Sequence, residues 1–509
     1  MKKSLAAIFG IFIASPMLAS AEDLVQIYQQ ALQSDPTYLQ AVAQYAANTE
    51  NVPMARSALL PSAAALGSAE YSQLNKTGSA QPAGQYRSRT NAYGLQLTQS
   101  VFNLSQWDTL SQANLALKGN EATYTASIQA LMFRVASAYF AVLQTREQLR
   151  YSYANMQSLA RQLDQTEQQY RVGLKTRSDV DLAQSSYDNA VAQHIATINS
   201  LSNARENLRA ITGVYYNHVF IMRDDLPLIT PYPADPDQWV NVATKQNWTL
   251  LSAKYAAEAA QKGVAIKWDD NLPTVGLTAN YTRTNAGTWD APPSASGYAT
   301  GPSATLNLTI PIVEGGYTLA STRQAEDLSQ VAQKGYDFSL RDTVNQTRQA
   351  YLAILSGISQ IKADKQAVIS GESALQGTIA GYRVGTKTIV DVLTAQDTLF
   401  QSQSQYATDR FNYITNSIKL KEETGTLSIN DLRAINNWLI DSKTDIDAEI
   451  KEAQQPKISN FNQTLEQIPM TTPVQPPANT PAATTAAPVT TTTAGQPAAS
   501  DIATTNNQQ

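Results

Sequence analysis

The chain of 509 residues contains no cysteine, only two histidines and no excess of basic residues. Without cysteine there can be no disulfide, no thiolate metal site and no N-terminal cysteine to carry a lipid anchor. The net charge of −5 argues against a nucleic-acid partner, because such binding depends on a basic surface. No phosphate-binding loop, nucleophile motif or metal-spaced cluster is found, so the sequence predicts neither an enzyme nor a cofactor.

Long apolar runs are confined to the start of the chain. Lys2 and Lys3, the apolar residues 5–18 and the small residues 19–21 predict a signal peptide over residues 1–21, so the mature chain acts outside the cytoplasm. After it, no uninterrupted apolar run approaches the ~18 residues that a membrane-spanning helix needs. If this chain crosses a bilayer, it must therefore do so as strands of a closed barrel.

The sequence is internally duplicated. Residues 170–184 (YRVGLKTRSDVDLAQ) return as residues 382–396 (YRVGTKTIVDVLTAQ), with an offset of 212 (382 − 170), and Gly213 and Gly425 keep the same offset. This period is too long for a solenoid and indicates a doubled module. The predicted parts are a first repeat at 22–213, a linker or equatorial cuff at 214–236, a second repeat at 237–425, a C-terminal equatorial segment at 426–456 and a Thr/Pro/Ala-rich tail at 457–509. The tail is expected to be disordered, because it offers little apolar surface to offset its ordering entropy.

Two stretches are almost free of helix breakers. Residues 105–170 contain no proline and one glycine, and the duplicate, 317–382, is also proline-free. At ~1.5 Å per residue, each predicts a helix of roughly 100 Å that must lie along partner helices. A shorter helix is predicted before each strand hairpin, beginning near Asp23 or Asp35 in the first copy, and another returns from the long helix. The first returning helix carries a coiled-coil seam at positions spaced three and four apart: Val180, Ala183, Tyr187, Ala190, His194, Thr197, Leu201, Ala204, Leu208 and Ile211. Packing is therefore the favoured role of His194.

Between the helices, apolar and small polar residues alternate with a period of two. Tyr93, Leu95 and Leu97 begin one such segment, and the second copy has others at 275–281 and 304–312. Each copy is predicted to hold one hairpin, with polar loops at 75–89 and 283–300. The alternation is typical of membrane-barrel strands, although a soluble sandwich shows the same pattern in any one segment. Four strands cannot close a barrel, whose minimum is ~8, so two chains would give about eight and three about twelve.

Residues 381–393 (GYRVGTKTIVDVL) and 308–312 (LTIPI), together with the duplication, resemble the TolC family of outer-membrane efflux and type I secretion channels from residue 22 to about 439. The resemblance implies an α+β membrane protein: a homotrimer with a twelve-stranded barrel in a Gram-negative-type outer membrane, continued by a helical coiled-coil tunnel through the periplasm. It also implies a periplasmic adaptor, an inner-membrane pump of the ABC or RND type, and export of drugs or secreted proteins. The absence of cysteine places the chain with the unacylated members. The competing hypothesis is a trimeric coiled-coil structural protein or adhesin of the outer membrane without export activity.

The resemblance also implies roles for the duplicated turn, which would form the closed periplasmic mouth. Tyr382 and Lys387 would tie the inner coil to the neighbouring first-copy coil near Ser178 and Asp179. Asp391 would point into the pore as one of three carboxylates, which attract cations and discourage anions.

Two departures from the family pattern predict a weaker charge filter and a looser latch. Thr394 stands where members with a double ring carry a second aspartate, and Lys387 replaces the usual arginine, whose forked contacts lysine cannot make. Simpler roles remain open for the charged residues. Asp179 and Asp391 both begin returning helices, where a carboxylate favours the helix dipole, and Lys175 and Lys387 also suit a solvated turn.

Overall fold

The computed structural model describes residues 23–77, 84–288, 297–441 and 445–454. The predicted signal peptide and the tail 457–509 lie outside these residues. The first repeat comprises α1 (Leu24–Ser34), α2 (Pro36–Thr49), α3 (Asn51–Ser57), β1 (Ser62–Lys76), β2 (Gly84–Phe102), α4 (Leu104–Arg171) and α5 (Arg177–Thr212). After β3 (Ile221–Met222), the second comprises α6 (Pro236–Gln246), α7 (Trp248–Asp269), β4 (Thr274–Thr288), β5 (Gly297–Thr309), α8 (Tyr317–Arg383) and α9 (Ile389–Glu423). The C-terminal segment forms α10 (Ile429–Asn436), β6 (Leu439–Ile440) and α11 (Ile446–Gln454).

The helices begin and end where local chemistry favours it. Asp23 and Asp35 cap α1 and α2 with their side chains, and Pro36 occupies the first turn of α2, where a missing N–H costs nothing. The long helices predicted at 105–170 and 317–382 are α4 and α8, each within one residue at either end. Both turn on a glycine in the left-handed region, Gly173 (φ 79°) and Gly385 (φ 81°). The two copies therefore have the same tip.

The sheet runs β1-β2-β4-β5 with every neighbouring pair antiparallel. Leu95 lies opposite Ala65 and Tyr281, whereas Gln96 lies opposite Ala64 and Asn280. Because directly paired residues share a face of the pleat, this register places the alternating apolar residues of β2, β4 and β5 on one side, whereas Leu66 and Leu74 of β1 lie on the other. The predicted alternation is confirmed in β2, β4 and β5, except at Val101, where a bulge shifts the register and Phe102 pairs with Val275.

The loops predicted at 75–89 and 283–300 are wrong, because both hairpins continue through most of these residues. Pairing extends to Lys76 opposite Gly84 in the first hairpin and to Ala286 opposite Gly297 in the second. The alternation pattern depends only on side chains, whereas strand pairing forms hydrogen bonds between backbone groups whatever the side chains are. In the other direction, β5 ends at Thr309 rather than at residue 312, since Pro311 has no N–H to donate to a neighbouring strand.

Each long helix packs along shorter ones. α4 lies against α5 towards the tip and mainly against α7, from the other copy, towards the sheet, while α8 lies against α9 and α7. The predicted seam of α5 is confirmed, with eight of its ten positions buried: Val180, Ala183, Ala190, His194, Thr197, Leu201, Ala204 and Leu208. His194 Nδ1 is 2.9 Å from Ser152 Oγ on α4, a hydrogen bond inside the coil.

A belt joins the two copies at mid-height. The linker strand β3 pairs with β6, so the segments predicted as linker and as C-terminal extension meet. The apolar centre beside this belt includes Leu131, Tyr139 and Phe140 of α4. α4 also contains an 18-residue window long and apolar enough, by mean hydropathy, for a membrane span, although it is not an uninterrupted apolar run, and half of that window is buried inside the protein. Burial against neighbouring helices accounts for its apolar character.

A buried arginine fastens α11 to this belt. Arg205 is 4% exposed and donates to Asp447 Oδ1 (2.7 Å) and Asn217 Oδ1 (2.7 Å). We expect Asp447→Ala to lower stability by about 2 kcal/mol, since it leaves a buried guanidinium without its carboxylate. The exposed pair Arg177–Asp181 (2.9 Å) is the control, and Asp181→Ala should cost less than about 1 kcal/mol. Thermal unfolding of the purified protein checks both, and equal losses would contradict the role given to burial.

Candidate functional site at the helical tips

The tips of the α4–α5 and α8–α9 hairpins are built alike. Thr388 caps α9, and its Oγ1 accepts from the N–H of Asp391 (3.2 Å), while Asp391 Oδ2 accepts from Thr388 N (2.8 Å) and Oγ1 (2.8 Å). In the first copy, Asp179 Oδ2 accepts from Thr176 N (3.0 Å) and Oγ1 (2.8 Å). This reciprocal capping box satisfies backbone N–H groups that the first turn of a helix leaves unpaired.

Capping therefore explains part of what both aspartates do. Hydrogen bonds from Thr388 hold the pKa of Asp391 below its ordinary value, and nearby Lys387 lowers it further. The cap uses only Oδ2, and within the described part of the chain Oδ1 of Asp391 has no hydrogen-bond partner. The cap thus orients an ionised carboxylate with one oxygen available, so capping and a pore role are compatible.

Tyr382 joins the second tip to the first. Its side chain is 5% exposed, its hydroxyl donates to Gln169 Oε1 on α4 (3.2 Å), and Lys175 Nζ lies 4.3 Å from its ring centroid. Lys175 thus contacts an aromatic face and is not only a solvated turn residue. Within one chain, Ser178 is exposed and Asp179 is bound in its own cap. Contacts of Tyr382 or Lys387 with Ser178 and Asp179 of a neighbouring chain stay a prediction.

The other two predicted residues are exposed. The stem of Lys387 covers Gly381, so closely that a Cβ added at that glycine would lie 2.8 Å from Lys387 Cγ. Thr394 lines a cleft between α4/α5 and α9, beside Val390 and Asp397. Within one chain, both residues are therefore accessible, Lys387 beside Gly381 and Thr394 in the cleft.

Sequence reasoning missed a second link between the hairpins. Gln396 Nε2 donates to Asn155 Oδ1 (2.9 Å), and Ser158 Oγ donates to Gln396 Oε1 (3.2 Å). Its first-copy counterpart, Gln184, instead donates to Asp188 within its own helix (2.8 Å). An apolar cluster surrounds the links: Met156, Leu159, Ala190, Tyr382, Ile389, Val392 and Leu393. The duplication places a glutamine at the same position in both copies, Gln184 and Gln396. Nothing in the sequence indicates that Gln396 binds a residue of the other hairpin.

A family model described as outer membrane efflux protein matches residues 27–214 and 239–426. The chain belongs to this family. The two matches begin 212 residues apart (239 − 27), the offset of the internal repeat. The outer membrane protein TolC of Escherichia coli is 35% identical over 455 residues, which cover 86% of this chain and 90% of TolC. The alkaline protease secretion protein AprF of Pseudomonas aeruginosa is 25% identical over 87% of this chain and 93% of its own.

The fold is that of the family's channels. The CmeC outer membrane channel of Campylobacter jejuni superposes with a TM-score of 0.69, at 16% identity, over 85% of this chain and 89% of CmeC. The chain is therefore an outer-membrane efflux channel, with a barrel continued by a helical tunnel. It is not an enzyme, and the adhesin hypothesis is not favoured. Channels of this family are trimeric and work with adaptor and pump partners.

Proposed function

We propose that three copies of this chain assemble into one channel that is closed at its periplasmic end by the helical tips. The sheet supports the assembly, since its outer strands β1 and β5 are 15 and 13 residues long and each has one neighbour within the described residues. Unpaired backbone groups in lipid cost several kcal/mol each, so both edges require a partner chain. α8 also exposes apolar side chains that another chain can cover: Leu319, Leu328, Val331 and Phe338.

The gate proposal is carried by one observation, the bridge from Tyr382 to Gln169 and Lys175. It holds the α8–α9 hairpin against the α4–α5 hairpin, so opening the mouth requires breaking it. Lys387, Ser178 and Asp179 would add contacts between chains, as the family resemblance implies. Asp391 contributes one carboxylate per chain to the mouth, and Thr394 adds no second charge. The predicted filter is therefore cation-preferring but weaker than a double ring.

The partners are proposed at the level of class. A periplasmic adaptor and an inner-membrane pump of the ABC or RND type would load the tunnel with drugs or secreted proteins. The names of the relatives support both kinds of cargo, since they include an alkaline protease secretion protein and a toluene efflux pump outer membrane protein. The repeat boundaries, 22–213 and 237–425, stay predictions that agree with these roles.

Planar-bilayer recording of the purified trimer tests the proposal. We expect discrete openings of low conductance that favour cations, because the mouth is closed at rest and lined by carboxylates. A preparation that is trimeric and folded but shows no discrete openings would rule out the channel proposal.

The latch is tested separately at Tyr382. We expect Tyr382→Ala to raise resting conductance several-fold, since the substitution removes both the hydroxyl bond and the ring under Lys175. Tyr382→Phe keeps the ring and should have a smaller effect. Tyr170, the first-copy counterpart, is 41% exposed, and Tyr170→Ala provides the matched control. Equal conductance in the two alanine variants would show that Tyr382 is not part of the latch.

A further inference from the structure

Three arginines lie on the apolar face of the sheet, at the end remote from the helices. Arg283 is paired with Tyr93, and Arg89 is paired with Tyr71, in the register that places Leu95 opposite Tyr281. Arg87 is two residues from Arg89 and shares its face. All three arginine side chains are exposed. Cations on the apolar side of a barrel strand are costly at mid-membrane, so their position along the strands decides what they do.

Their height follows from strand geometry. On the regular strand β4, eight residues separate Val275, the first position on the apolar face, from Arg283, about 26 Å along the strand at ~3.3 Å per residue. With a tilt of about 40°, that is about 20 Å across the membrane, close to the band of ~25 Å typical of outer-membrane barrels. Exposed Trp107 and Trp268, next to the strand ends, mark its lower boundary. Arg283 therefore lies at the upper boundary of the hydrocarbon, and Arg89 lies about 10 Å beyond it.

The described strands do not neutralise Arg89 or Arg283. Among the described strand residues the only acid is Glu70. It pairs with Thr90, the neighbour of Arg89 along β2, and successive residues of a strand face opposite sides, so Glu70 lies on the other face of the sheet. By sequence, the turn after β4 adds one acid, Asp290, which lies outside the described residues. Neither Arg89 nor Arg283 forms an ion pair with a described residue. The guanidinium of Arg283 lies 4.9 Å from the ring centroid of Tyr298, which orients it along the surface.

We propose that Arg89 and Arg283, with Arg87 beside them, bind the phosphate groups of a phosphorylated glycolipid in the outer leaflet. The hairpin turns point away from the periplasmic helices, so this end of the sheet meets the outward-facing leaflet. Guanidinium groups bind phosphate with two parallel hydrogen bonds, and tyrosines beside them suit the boundary between hydrocarbon and headgroups. The proposal rests on the outer-membrane location and is independent of the gate.

The spacing of the arginines favours a headgroup with several phosphates. Arg89 and Arg283 are four residues apart along neighbouring strands, about 13 Å between their Cα atoms along the strand direction. A phospholipid with a single phosphate can engage one of them at a time. A glycolipid with two or more phosphates can engage both, and the second contact then forms at a high effective concentration.

The test compares lipid binding by the full-length trimer in detergent with binding by Arg89→Gln/Arg283→Gln. The immobilised probes are a diphosphorylated outer-membrane glycolipid, the same glycolipid after phosphatase treatment, and phosphatidylglycerol vesicles. Each arginine near an anionic surface contributes on the order of 1 kcal/mol, so we expect about fivefold weaker binding per arginine and about 25-fold for both. Arg161→Gln/Arg433→Gln makes the same change in net charge on exposed helices, and should bind like the wild type.

The outcomes separate the possible ligands. The proposal is supported if removal of the phosphates weakens wild-type binding to the level of the double variant. It is overturned if the wild type and Arg89→Gln/Arg283→Gln bind the phosphorylated glycolipid equally. The proposal is also overturned if the wild type binds phosphatidylglycerol vesicles as tightly as the phosphorylated glycolipid, because the arginines would then bind any anionic surface. Circular dichroism and the trimer's elution volume confirm that both variants are folded.

Discussion

Asp391→Ala is expected to abolish most of the channel's preference for cations and its block by multivalent cations. In the proposed mouth, three carboxylates set the local potential, and Thr394 adds no second charge. The expected change is a several-fold fall in the cation-to-anion permeability ratio, measured from reversal potentials in a salt gradient. Since the cap holds the pKa of Asp391 below its ordinary value, the block should persist at about pH 4, where an ordinary aspartate is half protonated.

Asp179→Ala is the matched control for this experiment. Asp179 forms the same capping box on α5 as Asp391 does on α9, so each substitution should cost a similar ~1 kcal/mol of helix stability. Because Asp179 is proposed to contact a neighbouring chain, Asp179→Ala is expected to raise resting conductance, but only Asp391→Ala is expected to change the cation-to-anion permeability ratio. Unchanged selectivity in Asp391→Ala would leave that residue with a capping role alone.

Much of the architecture could be predicted because it is written in local patterns. The absence of proline predicts the lengths of α4 and α8, and the spacing of three and four residues predicts the buried seam of α5. The alternation predicts which residues of the strands share a face. The loop boundaries could not be read in this way. Ser88 lies within the predicted loop 75–89, yet it belongs to β2, and its hydroxyl is 2.7 Å from that of Ser72 on β1.

The candidate site was only partly predictable, for a physical reason. Asp179 and Asp391 could be placed from the sequence, since a cap depends on residues three positions apart. The partners of Tyr382 and Gln396 belong to the other copy, more than 200 residues away, and depend on how the two coils are set against each other. A repeat shows that two tips are equivalent, but not which residues of one contact the other.

The second large effect is expected at Gly425, which ends α9 with φ 70°. A Cβ there would lie 2.0 Å from the backbone oxygen of Gln246, at the break between α6 and α7. The backbone of Gln246 cannot move away without displacing its neighbour Asn247. Asn247 caps α7 and donates a hydrogen bond to Glu423 O (2.8 Å). Gly425→Ala should therefore destabilise the fold by about 3–5 kcal/mol and strongly reduce the amount of trimer in the outer membrane.

Gly213 separates the two causes of this effect. It ends α5 with φ 72° and carries the same left-handed penalty, but its Cβ would lie 3.6 Å from Ser34 Cβ, an ordinary contact. Gly213→Ala should thus cost only about 1 kcal/mol. Thermal unfolding of both variants and quantification of trimer in membranes measure the difference. If the two variants lost similar amounts of stability, the left-handed backbone alone would explain why glycine is needed at both positions. The close contact of Gly425 with the α6–α7 break would then have no effect of its own.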